Sequence, residues 1–160
     1  MLDIHITEFY NDTARILLSL YRAFPRQISM YVEDISGLDT PDEYGLHSER
    51  HLACFNTFLW LSEEGLIRYG DIERQTAFNH CVLTLDAFRW LSSFDAVEGG
   101  VKFIDELHIA ITQGTSNDVE ALIKSLLNAQ ARRHYIEGYI QQVRRFLRIG
   151  QWRAFLGAVY

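Results

Sequence analysis

The segment FLWLSEEGLIRYG, residues 58–70, restricts the fold of this chain more than any other feature of its sequence. An apolar helical pattern reaches two glutamates and Gly65, and a second apolar run begins directly afterwards. Glycine is the usual residue just past the end of a helix, because it adopts positive φ without steric cost. The segment therefore predicts a helix that ends at Gly65 and a β-hairpin whose first strand begins at Leu66.

The residues before this junction predict a helix, a strand and a loop. Apolar side chains recur at steps of three and four over residues 7–23, which predicts an amphipathic helix that Pro25 ends. QISMYVEDI favours one short strand, with a helical turn as the alternative. SGLDTPDEYGLHS reads as a loop with room for one short helix after Thr40. Ser48 is the expected N-cap of the helix that ends at Glu64.

The residues after the junction predict a hairpin followed by helices only. LIRYGDI and TAFNHCVLT are strand-like runs joined through residues 73–75, and Thr84 is the expected N-cap of the next helix. Beyond VEGG, apolar periodicity predicts one helix over 101–111, a second over 119–127 and a third over 136–147. Asn117 with Glu120 resembles a capping box that opens the second of these.

The length and the composition fit one domain with an appendage. With 160 residues, of which 48% are hydrophobic, the chain can bury a core. We place the domain at 1–95 and a helical extension, which packs on it or dimerises, at 96–160. The start of the sequence lacks the pattern of a secretory signal, and no apolar run approaches the length of a membrane span, so we expect a cytoplasmic protein without a membrane partner. Cys54 and Cys81 lie among apolar residues and are expected to be buried free thiols.

Charge is distributed unevenly along the chain. Residues 1–97 hold seven Arg or Lys against fifteen Asp or Glu, whereas residues 98–160 hold eight against six. The last third carries a group of arginines that form an expected second basic surface: Arg132, Arg133, Arg144, Arg145 and Arg148. These arginines alternate with aromatic residues, a mixture that suits contact with nucleic acid and equally suits a solvated face opposite a packed stripe.

The order of the predicted elements resembles that of the winged helix-turn-helix domain over about residues 7–93, in the manner of bacterial regulators. The sequences that carry the resemblance are WLSEEGLIRYG and VLTLDAFRWL. In that family L-x-x-x-G followed by an apolar residue closes the recognition helix, and an apolar residue followed by L-T-x-x-G closes the wing. Ala87 stands here where the second glycine often lies. The resemblance implies a mainly α fold with a small β-hairpin (α+β), a winged helix plus a C-terminal helical extension.

The resemblance also implies a function, namely DNA binding and transcription regulation by a homodimer. The helix over 48–64 is then expected to enter the major groove and the hairpin to contact the backbone. The expected nucleic-acid-binding residues are Arg50, Asn56, Thr57, Arg68 and Arg74. Acidic residues on either side of them oppose contact with phosphate. The alternative is an acidic winged-helix adaptor, which binds a protein partner without touching DNA; some chromosome-handling complexes contain subunits of that kind.

A third explanation of the charge pattern is that the acidic domain and the basic tail pair with each other, within one chain or across a dimer. An enzyme is not expected, because the sequence contains no phosphate-binding glycine loop, no nucleophile elbow and no H-E-x-x-H motif. Glu43, His47 and His51 follow at steps of four, with Cys54 nearby, which on one helix would align metal ligands. Because Gly45 opposes such a helix, we predict no metal site. Since the catalytic motifs are missing, we also predict no catalytic residue and no cofactor.

Overall fold

The computed structural model describes residues 3–93 and 102–148. The fold is mainly α with a small antiparallel sheet, as the sequence predicts. Residues 1–123 and 124–160 form two compact units, and the candidate sites described below lie in the first. The expected boundary at 95/96 stays a prediction, because residues 94–101 lie outside the described residues.

The first elements follow the predicted order. Helix α1, Asp3–Ala23, begins earlier than predicted and buries one face. Strand β1, Ile28–Tyr31, leads directly into the short helix α2, Val32–Ser36, so both alternatives for QISMYVEDI occur one after the other. Residues 37–48 form a loop, as predicted, and the short helix for which there was room after Thr40 does not form. Asp42 Oδ1 instead accepts the backbone N–H groups of Tyr44 and Leu46, both at 2.9 Å, which holds this part of the chain as a turn.

The helix before the junction ends as predicted. Helix α3, Glu49–Glu63, begins after Ser48, whose hydroxyl oxygen accepts the N–H of His51 at 3.2 Å. Gly65 has φ +73°, and the N–H of Leu66 donates back to the carbonyl of Leu61 at 2.9 Å. This is the geometry in which a left-handed residue ends a helix and turns the chain. The predicted change from helix to strand at Gly65 is therefore confirmed.

The sheet is antiparallel and centres on its longest strand. Strand β2 is Ile67–Arg68, β3 is Asp71–Glu73 and β4 is Ala77–Leu83. The strand β4 lies between β1 and β2 and also pairs with β3, with Ile28 opposite Cys81 and Ile67 opposite Leu83. The predicted first strand of the hairpin is thus two short strands, β2 and β3, on one long partner.

The core lies between the sheet and the helices. Phe58 of α3 stacks on Phe78 of β4, with ring centroids 4.6 Å apart. Helix α4, Leu85–Ser92, begins after Thr84, which accepts the N–H of Ala87 at 3.3 Å as the sequence predicts. Helix α5, Phe103–Gln113, packs against α1 and α4. Stable burial of the small sheet thus depends on the helices that cover it.

The last helix differs from the prediction. Helix α6 is continuous over Ser116–Arg148, where two separate helices were expected. The residues between the two predicted helices, NAQARRHY, are mostly good helix formers and contain neither glycine nor proline, so nothing interrupts the helix there. The capping residues are also two positions earlier than expected: Asp118 Oδ2 accepts the N–H of Thr115 at 2.7 Å, and the N–H of Asp118 donates to the Thr115 hydroxyl at 3.4 Å.

Within residues 3–93 and 102–148, no helix has the length and apolar character needed to cross a membrane.

Replacement of Gly65 tests the junction. Nothing lies within 4 Å of a Cβ built at this glycine, so the cost of Gly65→Ala comes from the backbone at φ +73°. We expect Gly65→Ala to lower the free energy of unfolding by about 1 kcal/mol, measured by urea denaturation. Gly65→Asn is the control and should lose less, because asparagine tolerates this region better. Equal stability of the wild type and Gly65→Ala contradicts the assignment.

Candidate functional site

Arg50, the first predicted contact to DNA, binds a carboxylate inside the protein. It lies in the first turn of α3 and makes a two-pronged salt bridge with Asp12 of α1, with N–O distances of 2.5 and 2.7 Å. Asp12 is only 1% exposed, and the side chain of Arg50 is 32% exposed. Hydrogen bonds to Asp12 raise the pKa of Arg50 above its ordinary value. The guanidinium of Arg50 therefore serves first to compensate a buried charge.

The other two predicted contacts on α3 have different surroundings. Thr57 is buried, and its hydroxyl donates to the carbonyl of Ala53 at 3.0 Å, one turn earlier in the helix. Asn56 is exposed. Of the three residues on α3, only Asn56 thus presents its side chain mainly to solvent, and DNA contact by this helix stays a prediction.

The predicted contacts of the hairpin are exposed. Arg68 lies on β2, and Arg74 lies in the turn between β3 and β4, where it adopts φ +46°. Asp71 and Glu73 of β3 are also exposed, so carboxylates adjoin the turn. In the expected second basic surface, Arg144 is exposed; the side chains of Arg132, Arg133, Arg145 and Arg148 lie outside the described residues.

An apolar groove follows the line where α1 and α3 meet. Its volume is about 550 Å³, and it is lined by Ile6, Phe9, Tyr10, Ala53, Asn56, Thr57 and Trp60. The ring of Phe9 meets that of Trp60 edge to face, with centroids 5.1 Å apart. The sequence does not predict this groove, because periodicity within one helix does not say which face its neighbour covers. The early start of α1 supplies the second wall.

A second group of side chains joins the loop after α2 to the start of α3. Nδ1 of His47 lies 2.7 Å from Oδ2 of Asp39, and the N–H of Ser48 donates to Oδ1 at 3.3 Å. Hydrogen bonds from Ser48 and His47 lower the pKa of Asp39 to about 2, so this carboxyl group is ionised. The ring of His47 stacks on that of His51, with centroids 4.0 Å apart and an angle of 11° between the planes.

His51 is the buried member of this group. It is 1% exposed, and its Nε2 lies 2.8 Å from the carbonyl oxygen of Gln75 in the β3–β4 turn. Its Nδ1 has no hydrogen-bond partner and lies 3.8 Å from Oδ2 of Asp39. Sequence analysis noted His47 and His51 but paired them with Glu43 and Cys54. The structure brings Asp39 to them instead, through a loop whose course the sequence did not reveal.

The two cysteines are free and buried, as the sequence predicts. The thiol of Cys54 lies 3.9 Å from the carbonyl oxygen of Val32. Burial raises the pKa of both thiols, that of Cys81 to about 12. Because the thiolate is the reactive form, neither side chain is arranged for nucleophilic chemistry near neutral pH.

Comparison with known proteins identifies no relative: no family model, no curated protein and no solved structure matches this chain.

Loss of the arginine in the α1–α3 salt bridge should destabilise the fold. Arg50→Met leaves the buried carboxylate of Asp12 unpaired, and we expect the free energy of unfolding to fall by about 3 kcal/mol in urea denaturation. Asp12→Asn in the Arg50→Met chain should recover part of this loss, because an amide carries no charge. Arg68→Met, at an exposed arginine, is the control and should change stability by at most about 0.5 kcal/mol. Equal losses at both arginines contradict a structural role for Arg50.

The buried thiols should be protected from alkylation. At pH 8 we expect iodoacetamide to leave Cys54 and Cys81 unmodified in the native protein and to modify both in concentrated urea, as intact mass measures. Rapid modification of either thiol without denaturant contradicts the burial described here.

Proposed function

We propose that this chain is a winged-helix adaptor, which binds a helix of a protein partner in the groove between α1 and α3. The order α1, β1, α2, α3 and then the strands β2 to β4 is the order on which the resemblance to winged-helix domains rests. The element that reads DNA in that family corresponds here to α3. What α3 presents to its surroundings therefore decides between an adaptor and a DNA-binding regulator.

The observation that carries the proposal is that α1 contacts α3 at Arg50 and Trp60 and forms one wall of an apolar groove along it. Arg50 is held by Asp12, Thr57 is buried, and Trp60 contacts Phe9. A face arranged in this way offers apolar and aromatic surface where a DNA-reading helix would offer free donors. Helix-in-groove recognition uses surfaces of this type, with an apolar side chain of the partner inserted between two helices.

The charges around the groove indicate the chemistry of the partner. Residues 3–12 of α1 hold no Arg or Lys. Asp12 is buried against Arg50, whereas the side chain of Glu8 is 31% exposed. On α3, Glu49 and Glu63 are exposed, and the single arginine is engaged with Asp12. An acidic rim around an apolar groove favours an amphipathic helix with an apolar anchor and a basic polar face. We therefore assign the groove to a partner helix of this composition.

One segment among the described residues has related chemistry. In α6, Ile140 is 42% exposed and Arg144, one turn later, is exposed as well. A second copy could supply this helix, which would produce the homodimer expected from the sequence. Self-association is accordingly one outcome that the experiment distinguishes from binding of another protein.

A cytoplasmic location remains the prediction from the sequence.

Duplex DNA binding is the second candidate, and the exposure of Arg68 and Arg74 is the observation that favours it. Under the resemblance, these two arginines correspond to the hairpin that contacts the DNA backbone in winged-helix regulators. Asp71 and Glu73 oppose phosphate contact at the same turn. Salt-dependent binding of mixed-sequence duplex DNA by the dimer, weakened by Arg68→Ala and Arg74→Ala, would support this candidate.

Two synthetic amphipathic peptides test the adaptor proposal. They share one apolar face, and their polar faces carry lysine and arginine in one peptide and glutamate in the other. Fluorescence anisotropy should show binding of the basic peptide and weaker binding of the acidic one. Trp60→Ala should weaken the basic peptide about 30-fold, the effect of losing ~2 kcal/mol at a hot-spot tryptophan. Trp90→Ala, on α4 outside the groove, is the matched control and should leave binding unchanged.

Asn56→Arg separates the two candidates in one variant, because Asn56 is exposed in the groove. On the adaptor proposal the added charge weakens the basic peptide about fivefold. On the regulator proposal it strengthens DNA binding instead. Sedimentation velocity of the same variant reports whether a second copy occupies the groove, since the dimer would then dissociate more readily. The adaptor proposal is overturned if the wild type binds the basic and the acidic peptide equally and Trp60→Ala changes neither affinity.

A further inference from the structure

We propose that Asp39, His47 and His51 bind one Zn²⁺ ion at the start of α3. One ligand atom from each residue lies within 4.8 Å of the others. Two imidazole nitrogens and one carboxylate oxygen form a donor set that Zn²⁺ commonly binds in proteins. The inference is independent of the adaptor proposal, because it concerns different residues and a different ligand.

The hydrogen bond of His51 indicates which ring nitrogen faces the ion. A carbonyl oxygen can only accept, so the contact of Nε2 with Gln75 places a proton on Nε2. In the neutral ring Nδ1 then carries a lone pair. A histidine that donates one N–H to a backbone carbonyl while its other nitrogen binds metal is the usual second-sphere arrangement of metal sites.

The lone pair of His51 lacks a donor in the folded protein. Nδ1 is buried without a hydrogen-bond partner, and Oδ2 of Asp39, an acceptor, lies 3.8 Å away. Buried polar atoms are almost always satisfied, and two acceptors that face each other gain nothing without a positive group between them. A divalent cation would give Nδ1 of His51 a partner and would bind Oδ2 of Asp39 at the same time. Proximity of three possible ligands alone does not indicate an ion. The unpartnered nitrogen of His51 is the second observation, and it favours a bound cation.

The spacing of the ligand atoms suits Zn²⁺ after a small rearrangement. Ligands at about 2.0–2.1 Å from a tetrahedral ion lie roughly 3.3 Å apart. The observed separations from Oδ2 of Asp39 are 2.7 Å to His47 and 3.8 Å to His51, on either side of that value. Coordination moves the proton of His47 from Nδ1 to Nε2. It also tilts the two rings out of their parallel stack, because a bound ion lies near the plane of each imidazole.

A bound ion would link three parts of the fold. Asp39 and His47 lie in the loop between α2 and α3, and His51 is bonded to the β3–β4 turn through Gln75. One ion therefore fastens the loop to α3 and, through His51, to the turn. Three protein ligands leave a fourth position for water or for a ligand from a partner.

Isothermal titration calorimetry of the full chain, freed of metal with EDTA, tests the proposal with ZnCl₂ as the probe. We expect one ion per chain. Asp39→Asn and His47→Gln should each weaken binding at least about 100-fold, since even outer partners of metal ligands contribute 10–100-fold. His108→Gln, at an exposed histidine of α5, is the matched control and should bind like the wild type. MgCl₂ and CaCl₂ should give no binding at the same concentrations, because these ions prefer oxygen ligands.

A measurement on the wild type alone keeps the proposal testable if a variant fails to fold. In ¹H–¹⁵N correlation spectra of the imidazoles, Zn²⁺ should shift the Nδ1 signals of His47 and His51 and leave those of His5 and His108 in place. Absence of saturable binding, binding unchanged in both cluster variants, or shifts at other histidines would overturn the proposal. A proton found on Nδ1 of His51 at neutral pH in the presence of Zn²⁺ would overturn it as well, because the carboxylate would then pair with an imidazolium.

Discussion

The fold depends on the hydrogen bonds of Thr84, which join the end of strand β4 to the end of helix α3. The hydroxyl of Thr84 donates to the carbonyl of Gly65 at 2.7 Å, and its backbone N–H donates to the carbonyl of Leu66 at 3.0 Å. The same hydroxyl caps α4 by accepting the N–H of Ala87. Helix α3, strands β2 and β4 and helix α4 therefore meet at one side chain. Because a short hairpin is unstable alone in water, this closure and the burial of Phe78 against α3 make the sheet part of the core.

The elements that sequence predicts well are those decided by neighbouring residues. Ser48, Gly65 and Thr84 act on groups within a few positions, so their roles as caps and turn follow from residue type and spacing. The partner of Arg50 lies 38 positions away, on another helix, and no local pattern identifies it. The same reason explains why the groove and the place of Asp39 beside the histidines were missed. The break predicted before residue 136 was wrong because separate apolar stripes do not require separate helices.

The salt bridge between Arg50 and Asp12 shows how structure changes the interpretation of a surface. Considered on α3 alone, an arginine at the first turn favours contact with phosphate or guanine. Packed against α1, the same guanidinium meets a carboxylate that is 1% exposed and would be costly to leave unpaired. If Arg50 left Asp12 in order to bind DNA, the buried carboxylate would lose its partner. The extended start of α1 thus forms one wall of an apolar groove along this face of α3.

The buried ring of His51 lies between the α2–α3 loop and the β3–β4 turn, since it stacks on His47 and contacts the carbonyl of Gln75. His51 supports the carbonyl of Gln75, whose φ of +59° is unfavourable for a residue other than glycine, and Arg74 beside it has φ +46°. A strained turn persists only where surrounding contacts determine it, and the buried ring of His51 supplies such a contact. An ion that fixes this ring would therefore also fix the turn that presents Arg74. Through His51, the position of Arg74 in the hairpin would then depend on Asp39 and His47, which precede it by more than twenty residues.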